Sequence, residues 1–379
     1  MNMKRSILHI VGTGELGGAE RMLADLVRSQ PEETHAIALF TPSEHVRSYL
    51  TKLPSKLFDR GRLLEGPIQT LSQSMLRGEQ MWLEEVCKKI SPEMVQVHTF
   101  GSQIVGTRLA LRLGLPLIRT EHSTRVYDDR SCFPFSMWSL RQATEIVAVS
   151  KFLQGRVHLA QKRWAPKTPS TSLIYNGIKL PPLNEAPKPS APEASPKEGA
   201  LRLLIVGRLD PRKGIDRAIE VTSRTRAATL DIMGEGAERS RLEAIVSERR
   251  LTERVRFVPY SSDPDTYIHS YDAALVTSHT EGLGIAAIEL LAHGLPVFGF
   301  AVGGIPEVVE NGVAGRLVAN GELAGLTEIL RALEHDRRPL QAFATNARRS
   351  VEKFAIETFS DNWRHLYDRV RARTRAAIA

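Results

Sequence analysis

Between residues 5 and 175, short runs rich in strand-forming residues alternate with stretches of helical periodicity: SILHIV, AERMLADLV and HAIALF, then MVQVH, LPLIRT, EIVAV and TSLIY. That alternation predicts βαβ units around a parallel sheet. It begins again at LRLLIVG (Leu201–Gly207) and continues through ATLDIMG, RVRFVPY, DAALVTS and LPVFGF, so the chain reads as two α/β domains. A length of 379 residues accommodates two or three domains. Pro181–Ala200, rich in Pro, Ala and Lys and without periodicity, reads as a polar linker between domains spanning 1–180 and 201–356. The tripeptide Gly-Leu-Pro recurs at 114–116 and 294–296, each time ending a helical pattern and opening a strand. In the last segment Phe359, Trp363, Leu366, Tyr367 and Val370 fall on one helical face, which predicts an amphipathic helix that packs on a domain.

Hydrophobic residues at 42% and charged residues at 25% are ordinary globular usage and exclude disorder or a fibrous repeat for most of the chain. Two cysteines, Cys87 and Cys132, cannot form a disulfide framework and lie in no metal-binding spacing, as expected of buried thiols in a reducing compartment. MNMKRSILHIVG reads as a first strand because its apolar run is too short for a signal-peptide core. The longest apolar stretch, Ile285 to Ile305, is interrupted by Glu289, His293 and Pro296, which makes a poor membrane span. A cytoplasmic protein is expected. The net charge of +8 suits phosphorylated ligands or an anionic surface without requiring either.

The loop GTGELGGAE follows a strand and opens a helix, and Gly12, Gly14 and Gly17 match the dinucleotide fingerprint by letter. A dinucleotide site also needs an acid at the end of the next strand, where this chain has Phe40, Thr41 and Pro42, so nicotinamide binding is demoted. Gly17 and Gly18 still allow close backbone approach to a ligand, and a helix beginning near Ala19 directs its N-terminus at an anion. In GRLDPRKGID, Arg208 follows a strand and Lys213 stands at the start of the next helix, a planar fork and a point charge suited to diphosphate oxygens. Glu281 and Glu289 are eight apart, one before the glycines of EGLG and one within a helix expected to begin near Leu283. Glu289 interrupts an apolar face of Ile285, Ile288 and Leu291, so its carboxylate is expected to be buried and to meet a ligand hydroxyl.

In order and spacing, GGAE, RTEH, VSKF, YNGI, GRLDPRKGID, MGEG, EGLGIAAIE and GGIPEVV resemble the retaining nucleotide-sugar glycosyltransferases of family four over nearly the whole chain. The resemblance implies the GT-B architecture: two Rossmann-like domains facing across a cleft, acceptor domain first and donor domain second, with 357–379 crossing back to complete the first. It implies that Arg208 and Lys213 hold the donor diphosphate, that Glu281 lies near the transferred sugar, and that Glu289 binds the ribose. Gly282, Leu283, Gly284 and Ile285 match the turn at phosphate and sugar, and Gly17 and Gly18 the loop that closes on the donor. His122, ending LPLIRTEH, matches the histidine beside the sugar. His98, which ends MVQVH, and Arg125 are expected on the acceptor side. Gly234 and Gly236 resemble a nucleotide-side turn, and Val258 to Tyr260 the segment lining the base.

The implied reaction moves a sugar from a nucleoside diphosphate sugar to a glycan or glycolipid acceptor with retention, as in cell-envelope polysaccharide assembly, with no cofactor and no nucleic acid partner. The Arg/Lys pair and helix amides can stabilise the departing charge without a metal. Asp263-Pro264-Asp265 has the letters of a metal-binding D-x-D, but an N-cap followed by Pro at the first helical position explains it. Asp128, Asp129, Arg125 and Arg130 form either an acceptor loop or a surface loop. The basic segment Arg47, Lys52, Lys56, Arg60 and Arg62 suggests peripheral contact with an anionic membrane. Two other readings stand beside the transferase: a non-catalytic glycan- or nucleotide-binding relative, and an NAD-dependent oxidoreductase.

Overall fold

The computed structural model describes residues 6–62, 73–129, 131–165, 171–181, 199–259, 261 and 267–378. The chain divides into two compact units, Met1–Gly177 with Ile356–Ala379, and Ile178–Ala355. Most of the expected linker, 182–198, lies outside the described residues.

The first unit is built on seven strands: β1 (Ser6–Gly12), β2 (Thr34–Phe40), β3 (Lys56–Asp59), β4 (Met94–Val97), β5 (Leu117–Glu121), β6 (Glu145–Ala148) and β7 (Thr171–Leu173). They pair in parallel in the order β3-β2-β1-β4-β5-β6-β7. All of β1 is buried, as expected of a central strand covered on both faces. The second unit repeats the plan with β8 (Arg202–Val206), β9 (Thr229–Met233), β10 (Val255–Val258), β11 (Ala273–Val276), β12 (Val297–Phe300) and β13 (Gly315–Val318). Their order is β10-β9-β8-β11-β12-β13, again parallel. In each sheet the chain winds outward from a central strand and then returns to its other side. The winding reverses between β1 and β4 and between β8 and β11, and open α/β sheets bind ligands at the carboxyl ends of such a reversal.

Side chains on alternate positions divide the first sheet into two cores. Leu8, Ile10, Ala36, Val95 and Val97 pack on one face with Leu83, Val86 and Leu109 from the helices that cover it. The other face carries Ile7, Met94, Ile118 and Val147, and it is closed by the C-terminal helix Ile356–Ile378 through Phe359, Trp363, Leu366, Tyr367 and Val370. The five residues expected on one helical face are all buried. Polar groups under the helix are matched as well: the Tyr367 hydroxyl donates to Gln96 Oε1 at 2.6 Å, and Gln96 Nε2 donates to Thr120 Oγ1 at 2.9 Å. Arg371 anchors the last turns on Glu33 at 2.8 Å. Cys87 and Cys132 are buried and unbridged.

Trp363 is fully buried, so Trp363→Ala should remove about 3–5 kcal/mol from the stability of the first unit. Urea unfolding followed by circular dichroism measures it, and a loss below about 1 kcal/mol would mean that the helix is not part of this core.

Candidate active site

At the winding reversal of the second unit, β8, β9 and β10 end in register, with Val206 opposite Met233 and Met233 opposite Val258. The loops beyond them leave the sheet at one level and touch through backbone. A Cβ on Gly234 would lie 1.9 Å from the Gly207 carbonyl oxygen, so glycine is what permits that contact. Gly236 approaches the Leu209 carbonyl in the same way. Val258 is half-buried at the end of β10, whereas Tyr260 and Asp263-Pro264-Asp265 lie outside the described residues.

Arg208 and Lys213 reach this edge from either side of a short turn. Asp210 caps the turn Pro211–Lys213 by accepting the Arg212 N–H at 2.9 Å, and Arg208 Nε lies 3.4 Å from the same carboxylate. Burial works against the charge on Asp210, but the Arg212 hydrogen bonds and the neighbouring guanidinium charges outweigh it and hold its pKa below the ordinary value. Lys213 Nζ donates to Glu281 Oε1 at 2.6 Å, and the Ser278 hydroxyl donates to the same oxygen at 2.8 Å. Thr277 Oγ1 donates to the Gly214 carbonyl at 2.8 Å and fastens the β8 loop to the β11 loop. Gly207, Lys213, Thr277, Ser278, Glu281 and Gly284 line one pocket.

The helix Ile285–Ala292 starts at the pocket, two residues later than expected, because Gly284 is its N-cap with φ +100°. A side chain is disfavoured in that conformation, and without one the cap offers no oxygen to the first-turn amides. Those amides and the positive end of the helix are therefore suited to an anion. Gly282 and Ile285 are half-buried and Leu283 is buried beneath them. Glu289 departs from the expected burial. It is half-buried, while Ala287, Ile288, Leu290 and Leu291 hold the buried face, because its position one turn beyond Ile285 places it on the helix's more open side. Sequence reasoning assigned no role to Thr277, Ser278 or the Gly303–Gly304 loop, whose Gly304 N–H donates to the Glu281 carbonyl at 3.3 Å. The motif GGIPEVV was the available signal for that loop.

In the first unit Gly17 caps the helix Gly18–Ser29, and Glu20 accepts the Gly17 N–H at 2.8 Å. A carboxylate of the chain itself thus takes part of the anion position expected there. At the end of β2, Phe40 and Thr41 are fully buried, and neither is the acid that a dinucleotide ribose requires. Arg125 is exposed on the short helix Arg125–Asp128, and Asp128 pairs with Arg156. His122 is half-buried just past β5. His98 is buried behind it, with one ring nitrogen 3.5 Å from His122 and the other 3.2 Å from His9, so its ring belongs to the interior. His9 in turn meets His35 at 2.9 Å; neither was singled out from the sequence.

The family described as Glycosyltransferase Family 4 matches residues 16–180, and that described as Glycosyl transferases group 1 matches residues 188–350. Among curated proteins, the glycogen synthase of Mycobacterium tuberculosis is 27% identical over 275 residues, covering 69% of this chain and 64% of that protein. The D-inositol 3-phosphate glycosyltransferase of Thermobispora bispora is 25% identical over 382 residues, covering 90% of this chain and 87% of that one. Among solved structures, Anabaena HepE in complex with UDP and glucose superposes with a TM-score of 0.78 at 20% identity, covering 96% of this chain and 99% of that one. The chain belongs to the glycosyltransferases of the GT-B type.

Burial lowers the pKa of His122 to about 4 and that of His35 to about 4, and it lowers His9 and His98 well below the ordinary value. Unfolding returns each ring to about 6.5, so between these limits the unfolded chain binds more protons and stability falls as pH falls. Each such proton contributes a slope of up to about 1.4 kcal/mol per pH unit. Urea unfolding between about pH 7 and pH 5, where most carboxylates remain ionised, should show the decline. A flat profile would mean that the rings are charged in the folded state.

Proposed function

We propose that the protein transfers a sugar from a nucleoside diphosphate sugar to an acceptor hydroxyl with retention of anomeric configuration. The observation that carries this reading is the Lys213–Glu281–Ser278 cluster at the winding reversal of the second unit, beside Arg208 and a helix start without a side-chain cap. As the bond between the anomeric carbon and the diphosphate oxygen breaks, negative charge grows on the diphosphate. Arg208, Lys213 and the amides after Gly284 stabilise that charge in place. In same-face attack the acceptor hydroxyl adds to the oxocarbenium-like carbon while its proton passes to the departing diphosphate oxygen.

Lys213 and Arg208 supply the positive charge that a divalent ion would otherwise provide, and on this ground the reaction is read as metal-independent. Glu281, held by Lys213 and Ser278, meets the transferred sugar, Glu289 the ribose and His122 a sugar hydroxyl. A glycan or glycolipid acceptor in polysaccharide assembly completes the reading. UDP and glucose bound to Anabaena HepE make UDP-glucose the first donor to test.

Thermal-shift titration with UDP, GDP, ADP and NAD, with and without a chelator, should give a rise with one diphosphate that chelation leaves unchanged. With the matching donor, Lys213→Ala should lower turnover by about 10²–10³, the scale of losing one stabiliser of a developing anion. Near-normal turnover overturns the role of Lys213, a shift with NAD alone overturns the transferase reading, and loss of the shift on chelation overturns metal independence.

Peripheral contact with an anionic membrane is better supported by the helix Lys151–Trp164 than by the segment from Arg47 to Arg62. In that segment Arg47 pairs with Glu44 and Asp59, and both Arg60 and Arg62 pair with Glu79, which neutralises much of its charge. The helix instead exposes Phe152, Leu159 and Trp164 among Lys151, Lys162 and Arg163, a mixture suited to the interfacial region of a bilayer. Among the described residues no helix is long and apolar enough to cross a membrane. The protein should sediment with phosphatidylserine vesicles at low salt and do so less after Leu159→Ser with Trp164→Ser. Failure to sediment rules the contact out.

A further inference from the structure

Four histidines of the first unit form an unbroken series across neighbouring strands. His35 Nδ1 meets His9 Nε2 at 2.9 Å, His9 Nδ1 meets His98 Nε2 at 3.2 Å, and His98 Nδ1 meets His122 Nε2 at 3.5 Å. The ring centroids are 5.1, 5.4 and 5.7 Å apart along the series. Sheet register explains the path. His35 pairs with Ile7, His9 with Gln96 and Gln96 with Ile118, so each step to the next strand advances two residues along the same face. The series is a diagonal that begins in the core at β2 and ends at the carboxyl edge beyond β5.

Every link joins an Nδ1 to an Nε2, and this has a chemical consequence. A neutral imidazole carries one proton and one lone pair, and each link needs one of each. The four rings must therefore share one tautomer: all carry the proton on Nδ1, or all carry it on Nε2. A single ring of the opposite kind places two protons or two lone pairs in one link, which leaves buried polar atoms unsatisfied. The rings are buried strongly enough to stay neutral near pH 7, since burial lowers all four pKa values.

Nε2 of His35, at the buried end, has no hydrogen-bond partner among the described residues, so the series is constrained by its internal links, and the common tautomer settles whether the remaining Nδ1 of His122 is a donor or an acceptor.

We propose that His35, His9 and His98 are positioning residues that hold His122 in the one tautomer common to the series, so that its Nδ1 meets a substrate hydroxyl in a single role, donor or acceptor. The second half of this proposal rests on the transferase reading; the shared tautomer does not. A ring free to exchange its proton would offer that hydroxyl a donor part of the time and an acceptor for the rest.

The test is long-range ¹H–¹⁵N correlation on the full chain labelled with ¹⁵N-histidine, with the His122 signals assigned by their loss in His122→Gln. At about pH 7 the wild-type His122, His98, His9 and His35 should all be neutral with the proton on the same ring nitrogen. A ring whose tautomer differs from the others, or a mixture at His122, overturns the proposal before any variant is made. His9→Phe interrupts the series and should give a tautomer mixture at His122, and an unchanged pattern in the folded variant also overturns it. With a donor and acceptor in hand, His9→Phe should lower kcat/KM by about tenfold, with the loss restored in part by His9→Gln, which keeps a donor and an acceptor. A locked common tautomer in a protein without transferase activity would overturn the function and leave the positioning role standing.

Discussion

Parallel strands cannot be joined by tight turns, so each connection crosses a face of the sheet, and a sheet covered on both faces must at some point reverse its winding. In the second unit the reversal falls between β8 and β11, and the candidate site residues gather there. The loop after β8 brings Arg208 and Lys213, and the loop after β11 brings Thr277, Ser278 and Glu281. Neither loop alone makes a site. They are held together by the Thr277 bond to the Gly214 carbonyl, the Lys213–Glu281 ion pair and the bond from Gly304 to the Glu281 carbonyl. A short, partly buried charge pair of this kind gains its strength from reduced solvent screening, and it fixes the position of two long side chains that would otherwise be mobile.

All the strands except β3 and β13 were legible because each is a brief apolar run bounded by polar turns, a pattern that survives without knowledge of tertiary contacts; those two are four-residue edge strands that each include a charged residue. The C-terminal helix was legible for a related reason: Phe359, Trp363, Leu366, Tyr367 and Val370 repeat with helical spacing, and all five are buried. Less legible were details decided by local backbone geometry. Gly284 takes a positive φ and starts its helix two residues late, and Glu289, one turn beyond Ile285, lies on the half-exposed side although its sequence neighbours are apolar. The basic segment from Arg47 to Arg62 looked like a field of positive charge, yet its arginines meet Glu44, Asp59 and Glu79, and two of these partners lie outside the segment. Net charge along a sequence does not reveal such pairing.

The histidines show the same limit from the opposite direction. His98 and His122 drew notice because they end strands, whereas His9 and His35 lie within apolar runs and were not singled out. Their connection depends on parallel register between β2, β1, β4 and β5, which places residues 26, 89 and 24 positions apart in bonding contact. No local pattern encodes a diagonal across four strands. What was readable is only that a polar ring within a buried strand needs a partner.

Two devices for controlling charge follow from these arrangements. In the second unit positive groups stand ready at a pocket, and Glu281 balances Lys213 so that the cluster is not strongly charged before an anion arrives. On the proposed function an incoming diphosphate would compete with that carboxylate for the ammonium, which would couple ligand affinity to cluster geometry. In the first unit charge is excluded instead: burial keeps the imidazoles neutral, and neutrality is what makes their tautomers interdependent. A protonated ring in the series would carry donors on both nitrogens and break the rule of one proton per link. The burial that makes those histidines costly to charge is therefore also what allows them to specify the direction of a hydrogen bond at the sheet edge.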